Sequence, residues 1–287
     1  MLFCGDATSN AINKEGVLSI MNTKKLDLTV MSFNIRVLTS SDTGDRSWSV
    51  RKQPVSNFIS GNDASIVCMQ EVLGTQYTDL KAMLSDRYDI VWYGRNSVED
   101  SKGEGLAIAY DKSEWELVSK DRFWLSETPD TPSFGWGAKY LRICVATVLE
   151  HRATKARISV FNVHLDNWSE EARTCGIQLV LNKISVSEYP SYLCGDFNAT
   201  REKEAYILAS KVMNDSQLVS LVTDFGHTFN AWGTNQDEKR VIDYCLFSKQ
   251  HFDIISFKIC KDKWGENNDK YLSDHNPIIS KVKMLYI

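Results

Sequence analysis

A chain of 287 residues, 43% hydrophobic and 24% charged, has the balance of a folded globular protein. This excludes a wholly disordered chain, a collagen-like fibre and a small disulfide-stapled scaffold, and at this length a core forms without help, so any metal serves chemistry. The 33 Lys and Arg against 37 Asp and Glu leave a net charge of -4, which is not the pattern of a protein that grips duplex DNA by wholesale phosphate neutralisation.

Residues 1–24 carry Gly, Asn, Ser and Thr without a sustained period and read as a loosely docked or disordered tail, leaving residues 25–287 as one domain. Leu26–Asn34 alternates and is β-rich, so it reads as a strand. Trp48–Ser60 has helical spacing through Trp48, Val55, Phe58 and Ile59, with Pro54 against it. Ser65–Gln70 is a short apolar strand, Thr75–Leu84 a helix, and Tyr88–Tyr93 and Gly105–Tyr110 strands. Trp115–Trp124, Leu141–Glu150 and Ala156–Val163 follow as strands, with loops at Glu127–Gly137 and His151–Lys155. The stripe Ala172, Ile177, Val180, Leu181 and Ile184 marks Ser169–Ser187 as a helix, and Ser169 with Glu170 and Glu171 suits its N-terminus. Strand Tyr192–Cys194, helix Glu202–Met213 and strands Val241–Phe247, Phe252–Cys260 and Pro277–Leu285 complete the chain. Strands outnumber helices, and the expected architecture is α/β: two sheets packed face to face with helices outside.

The seven cysteines form no CxxC pair and sit mostly in apolar runs such as Ile66-Val67-Cys68-Met69. They read as buried free thiols in a reducing compartment, and a cytoplasmic location is expected. No run approaches ~18 uninterrupted apolar residues, so no membrane-crossing helix is expected.

Charge-capable residues stand just beyond the ends of the apolar strands: Asn34, Gln70-Glu71, His164-Leu165-Asp166, Asp196-Phe197-Asn198, Asp243 and Asp274-His275. Each alone reads as a turn former or a solvated loop residue. Six in succession point instead to one cleft where strand ends converge.

The ordered series Ser32-Phe33-Asn34, Gln70-Glu71, Asn162-Val163-His164-Leu165-Asp166, Gly195-Asp196-Phe197-Asn198, Ile242-Asp243-Tyr244 and Ser273-Asp274-His275 resembles the endonuclease/exonuclease/phosphatase superfamily. The resemblance spans Lys25 to the C-terminus and implies a deoxyribonuclease I-like, four-layer α/β/β/α sandwich of two packed mixed sheets. Phe123–Pro129 with Gly135-Trp136 looks like a microbial branch near sugar-phosphate phosphatases and the carbon-catabolite-repressor type of 3'-5' ribonucleases. In that branch an acidic residue often follows the first Asn-Ile-Arg, whereas Val37-Leu38 stand here, leaving Asp42, Asp45 or nothing in its place. The tyrosine expected after Glu104 is also missing.

Phosphoester hydrolysis asks for a cation on the phosphoryl oxygens, an oriented water and a proton route to the leaving oxygen. Mg²⁺ (or Mn²⁺) prefers hard oxygen ligands, which assigns Glu71 with Asn34 as its ligands and Asp274 to a second ion or to tuning the first. Asp196 would orient or deprotonate the water, and Asn198 would donate to a phosphate oxygen. His275 would meet the non-bridging oxygens, with Asp243 on its other nitrogen. His164 would stabilise the phosphoryl group or protonate the leaving oxygen. Asp166 would bond Asn198 or substrate. Arg36, Trp136 and Trp168 are further expected substrate contacts, and Lys102, Lys139 and Arg142 are candidates for the cleft wall. The first reading is a metal-dependent phosphodiesterase, a 3'-5' exonuclease on single-stranded nucleic acid. The second is a phosphatase of a small phosphorylated sugar. A catalytically silent binding module ranks below both.

Overall fold

The computed structural model describes residues 23–99 and 103–287. The expected tail over residues 1–24 lies almost wholly outside the described residues, and so does Lys102.

The first half of the chain supplies β1 (Lys24–Asn34), α1 (Trp48–Gly61), β2 (Ile66–Leu73), α2 (Gly74–Met83), β3 (Tyr88–Gly94) and β4 (Glu104–Asp111). It continues with β5 (Trp115–Trp124), β6 (Ile143–His151), β7 (Arg157–His164), α3 (Glu170–Ser185) and β8 (Ser191–Asp196). The remainder adds α4 (Glu204–Val212), β9 (Met213–Asp215), α5 (Ser216–Val219), β10 (Val222–Thr223) and β11 (Asp243–Ser248). Strand β12 (Phe252–Ile259), the small hairpin of β13 (Lys263–Trp264) and β14 (Lys270–Tyr271), and β15 (Ile278–Tyr286) end the fold.

One sheet runs β10-β12-β15-β1-β2-β4-β3 and the other β5-β6-β7-β8-β11-β9. Both are mixed: β1 pairs parallel with β2, β7 parallel with β8, and their other neighbours antiparallel. Strand periodicity explains the layers. Leu28 and Val30 of β1 face Val145, Ile158, Tyr192 and Phe247 of the opposite sheet. Met31 and Phe33 point the other way, onto Val55 and Ile59 of α1 and Leu80 of α2. Phe161, Val163 and Leu193 cover Ile177 and Val180 of α3 and Ala205 and Ala209 of α4. The result is the four-layer α/β/β/α sandwich.

Helix α1 continues through Pro54 even though that residue donates no backbone hydrogen bond. Its buried face of Trp48, Val55 and Ile59 against β1 outweighs the loss. Helix α3 begins as expected, with the Ser169 hydroxyl accepting the Ala172 N–H at 3.1 Å. The short elements β9, β10 and α5 carry no period long enough to be read from sequence.

Gly195 sits at φ 135°, where a Cβ would lie 1.9 Å from the Val163 carbonyl oxygen. It lets β8 lie close against β7 immediately before Asp196. Gly195→Ala is therefore expected to cost at least about 2–4 kcal/mol, from backbone strain and overpacking together. Urea denaturation checks this, and a wild-type midpoint would contradict it.

Candidate active site

Parallel strands end on the same rim of a sheet, and their antiparallel neighbours begin there. Asn34 and Glu71 stand at the C-terminal ends of β1 and β2, and His164 and Asp196 at those of β7 and β8. Asp243 opens β11 directly opposite Asp196, and Asp274-His275 lead into β15. Residues separated by some 240 positions thus share one rim.

Glu71 lies in a bulge, with Gln70 and Glu71 opposing the single residue Leu106 between the pairs Met69↔Ala107 and Val72↔Gly105. At φ 61° its side chain is re-aimed to the rim, where Oε2 accepts the Val37 N–H at 2.8 Å. Asn34 is the hub beneath. Its Nδ2 reaches Glu71 Oε1 at 3.2 Å, Asp196 Oδ2 at 3.1 Å and His275 Nε2 at 3.5 Å, while its Oδ1 accepts the Arg36 N–H. Asn34 offers the site a nitrogen, so it is a clamp between carboxylates rather than the oxygen ligand expected from sequence.

The His275 Nδ1 bonds Asp243 Oδ2 at 2.9 Å, and Asp196 Oδ2 lies 3.7 Å from its Nε2. Burial alone would lower the imidazole pKa, but Asp243 and Asp196 outweigh it and lift it to about 10. Burial and the Asp243 carboxylate push Asp196 up to about 7, against the pull of His275. The ligand-type atoms of Asp196, Asp243 and His275 lie within 4.8 Å of one another. That spacing could hold a metal ion, and the same geometry makes a histidine–carboxylate pair facing Asp196, while Glu71 and Asp274 present further carboxylates to the cleft. The Asp274 carboxyl is raised first by burial and then by Glu71, against His275 and Arg36.

His164 Nε2 is 3.5 Å from Asp196 Oδ2. Burial and then the Arg142 guanidinium hold its pKa well below the usual imidazole value. It is therefore neutral at pH 7, a hydrogen-bond donor rather than the proton source considered from sequence. Asn198, at φ 48°, gives its backbone N–H to Asp196 Oδ1 and one amide proton to the Leu165 carbonyl, keeping the other free for a ligand.

These groups floor a cleft of about 520 Å³, well within the range of small-molecule sites. Of the expected residues, Arg36, Glu71, His164, Asp196, Asn198, Asp274 and His275 line it, and buried Asn34 and Asp243 hold them from behind. Arg36 pairs with Asp42 at 2.8 Å and reaches Asp274 at 3.4 Å. Asp45 pairs with Lys270, so neither candidate acid joins the cleft lining.

Three expectations are corrected. Asp166 is 1% exposed and does not line the cleft, because its two oxygens accept the backbone N–H groups of Lys139, Tyr140, Trp168 and Ser169. Trp136 and Trp168 also fall outside the lining. Trp136 is half-buried with its carbonyl accepting from the Ser169 hydroxyl, and Trp168 is exposed with the Lys139 ammonium 5.4 Å over its ring. The wall contains Arg95, Glu104, Tyr140, Phe229 and Arg240 instead. Apart from Glu104, which belongs to the family pattern, no motif marks these, and Arg142 is the wall residue nominated from sequence.

The sequence profile of the endonuclease/exonuclease/phosphatase family matches residues 31–275. The chain belongs to that family. A solved mannosyl-6-phosphatase of Bacteroides thetaiotaomicron superposes with a TM-score of 0.83 at 31% identity, covering 91% of this chain and 100% of that one. An uncharacterised protein of Acanthamoeba polyphaga mimivirus is 26% identical over 249 residues, 81% of this chain and 91% of that protein. The Ccr4 3'-5'-exoribonuclease subunit of Kluyveromyces lactis is 21% identical over 297 residues, which cover 83% of this chain but 38% of that protein. Members of that family are hydrolases that act on phosphoesters. Among the described residues no helix is long and apolar enough to cross a membrane.

Proposed function

We propose that this protein is a divalent-cation-dependent phosphoesterase that removes phosphate from a small phosphorylated sugar or a similar metabolite. The observation that carries the hydrolase reading is the single cluster in which the Asn34 amide bonds Glu71 and Asp196, with His275 3.5 Å from the same nitrogen. The walled cleft and the likeness to a mannosyl-6-phosphatase support the small substrate.

The residues fit a hard cation. Glu71 and Asp274 present carboxylate oxygens to one cleft, and each Glu71 oxygen keeps a lone pair beyond its existing hydrogen bond. Mg²⁺ or Mn²⁺ held by these two would screen phosphoryl charge from an incoming water. Asp196, poised near neutrality, orients that water and takes its proton. The His275 imidazolium, fixed by Asp243, donates to a non-bridging oxygen. Neutral His164 and the free amide proton of Asn198 bind the remaining oxygens.

A second reading, a 3'-5' exonuclease on single-stranded nucleic acid, draws on the Ccr4 likeness. It loses the substrate contacts expected of Trp136 and Trp168, neither of which lines the cleft. The silent-module reading expects a missing carboxylate or histidine, and none of the strand-end set is missing. Purified protein with Mg²⁺ or Mn²⁺ should release inorganic phosphate from a panel of sugar phosphates, and a chelator should stop it. Shortening of single-stranded RNA or DNA without phosphate release from the panel would overturn the small-substrate reading in favour of the exonuclease.

A further inference from the structure

Arg142 is 5% exposed and lines the cleft beside His164 and Arg95. Among the described residues its Nε is buried without a hydrogen bond, and its one ion-pair contact is 3.6 Å, to Asp166. Asp166 does not need that contact. Four backbone N–H groups already fill the lone-pair sites of its carboxylate. Arg95 is spent on Glu104 and adds like charge, with the Tyr140 ring 5.1 Å from Arg95 and 5.4 Å from Arg142. His164 Nδ1 is a second buried polar atom with no partner.

The charges of Glu104, Asp166 and Asp196 offset this guanidinium, but none of them gives it a hydrogen bond, and a buried charge without one is costly to keep. With His164 as the Nδ1–H tautomer, the ligand that suits both groups is an anion with several acceptor oxygens. A planar guanidinium fork suits phosphate in particular. A phosphodiester offers two free oxygens and one charge. A terminal phosphate offers three oxygens and up to two charges, enough to meet Asn198 and His275 on one side and Arg142 on the other.

We infer that Arg142, with His164 beside it, seats a terminal phosphate of the substrate and makes the cleft favour phosphomonoesters over diesters. This rests on the monoesterase reading above and names the residue that would impose it. The seated phosphate is either the one hydrolysed or a second one on a bisphosphorylated substrate.

Inorganic phosphate is titrated calorimetrically into wild type and Arg142→Gln, each loaded with Mg²⁺. The expected result is binding at least ~10-fold weaker in the variant, as for the loss of a charge-assisted fork. Mg²⁺ affinity and thermal midpoint should hold, and Arg142→Lys should recover part of the loss. In turnover, the preference of kcat/KM for a sugar monophosphate over bis(p-nitrophenyl) phosphate should fall by at least ~10-fold. If only a bisphosphorylated sugar loses affinity in the variant, the seat holds the second phosphate and the proposal stands. Equal affinity in wild type and Arg142→Gln for both inorganic phosphate and a bisphosphorylated sugar overturns it, even for an active enzyme. So does a collapse of the thermal midpoint, which assigns Arg142 to structure. Phosphate binding through Arg142 in a protein that hydrolyses nothing would leave the seat and sink the catalytic reading.

Discussion

Asp196→Asn is expected to lower kcat by on the order of 10³, within the range for a positioned general base, while the protein stays folded. The side chain keeps its shape, and Asn198 can still bond it from its backbone N–H. What is lost is the charge that faces His275 and His164 and the basicity that draws a proton from water. Burial and Asp243 already raise the carboxyl to about 7, so a neutral amide removes a group that the fold finds costly to ionise. That gain is offset where the new amide nitrogen meets the Asn34 amide that now bonds the Asp196 oxygen, so the thermal midpoint should stay close to that of wild type. Steady-state turnover of the substrate found in the sugar-phosphate panel, together with a melting curve, tests both halves. Activity within tenfold of wild type would show that Asp196 neither orients nor deprotonates the water.

Glu71→Gln is expected to weaken Mn²⁺ binding by on the order of 100-fold or more, and turnover with it, because one of the two carboxylates that fit the cation is gone. The amide is isosteric and its oxygen can still accept the Val37 N–H, so the bulge at Glu71 should survive. The Asn34 amide nitrogen would then face either an oxygen or a like donor, depending on how the new amide turns. Mn²⁺ affinity is read by calorimetry without substrate, which separates cation loss from any effect on chemistry. High Mn²⁺ should restore part of the activity. Unchanged affinity would move the cation away from Glu71.

The strand-end carboxylates and histidines were legible because strands read well as apolar runs and the residues after them are polar in a fixed order. Parallel pairing of β1 with β2 and β7 with β8 then does the convergence. Roles set by orientation were not legible. Asn34 was expected to offer an oxygen and instead offers its nitrogen, because the Arg36 N–H takes the oxygen. Asp166 looked like a site residue until four backbone amides from two separate loops claimed it. Arg142 was nominated only as one basic residue among several. Its isolation depends on those same four bonds and on the Arg95–Glu104 pair at the ends of β3 and β4, none of which leaves a local pattern. The tryptophans misled because a loop position next to Gly or Asn does not say which way the indole turns.

The most direct test of the account is an anomalous difference map from crystals of this protein grown with Mn²⁺ and phosphate. The account predicts a manganese peak bonded by the Glu71 carboxylate on the Asp274 side of the cleft, with the His275 ring still hydrogen-bonded to Asp243 and phosphate density reaching Arg142. Manganese on a His275 ring nitrogen, or no manganese in the cleft at all, would contradict it.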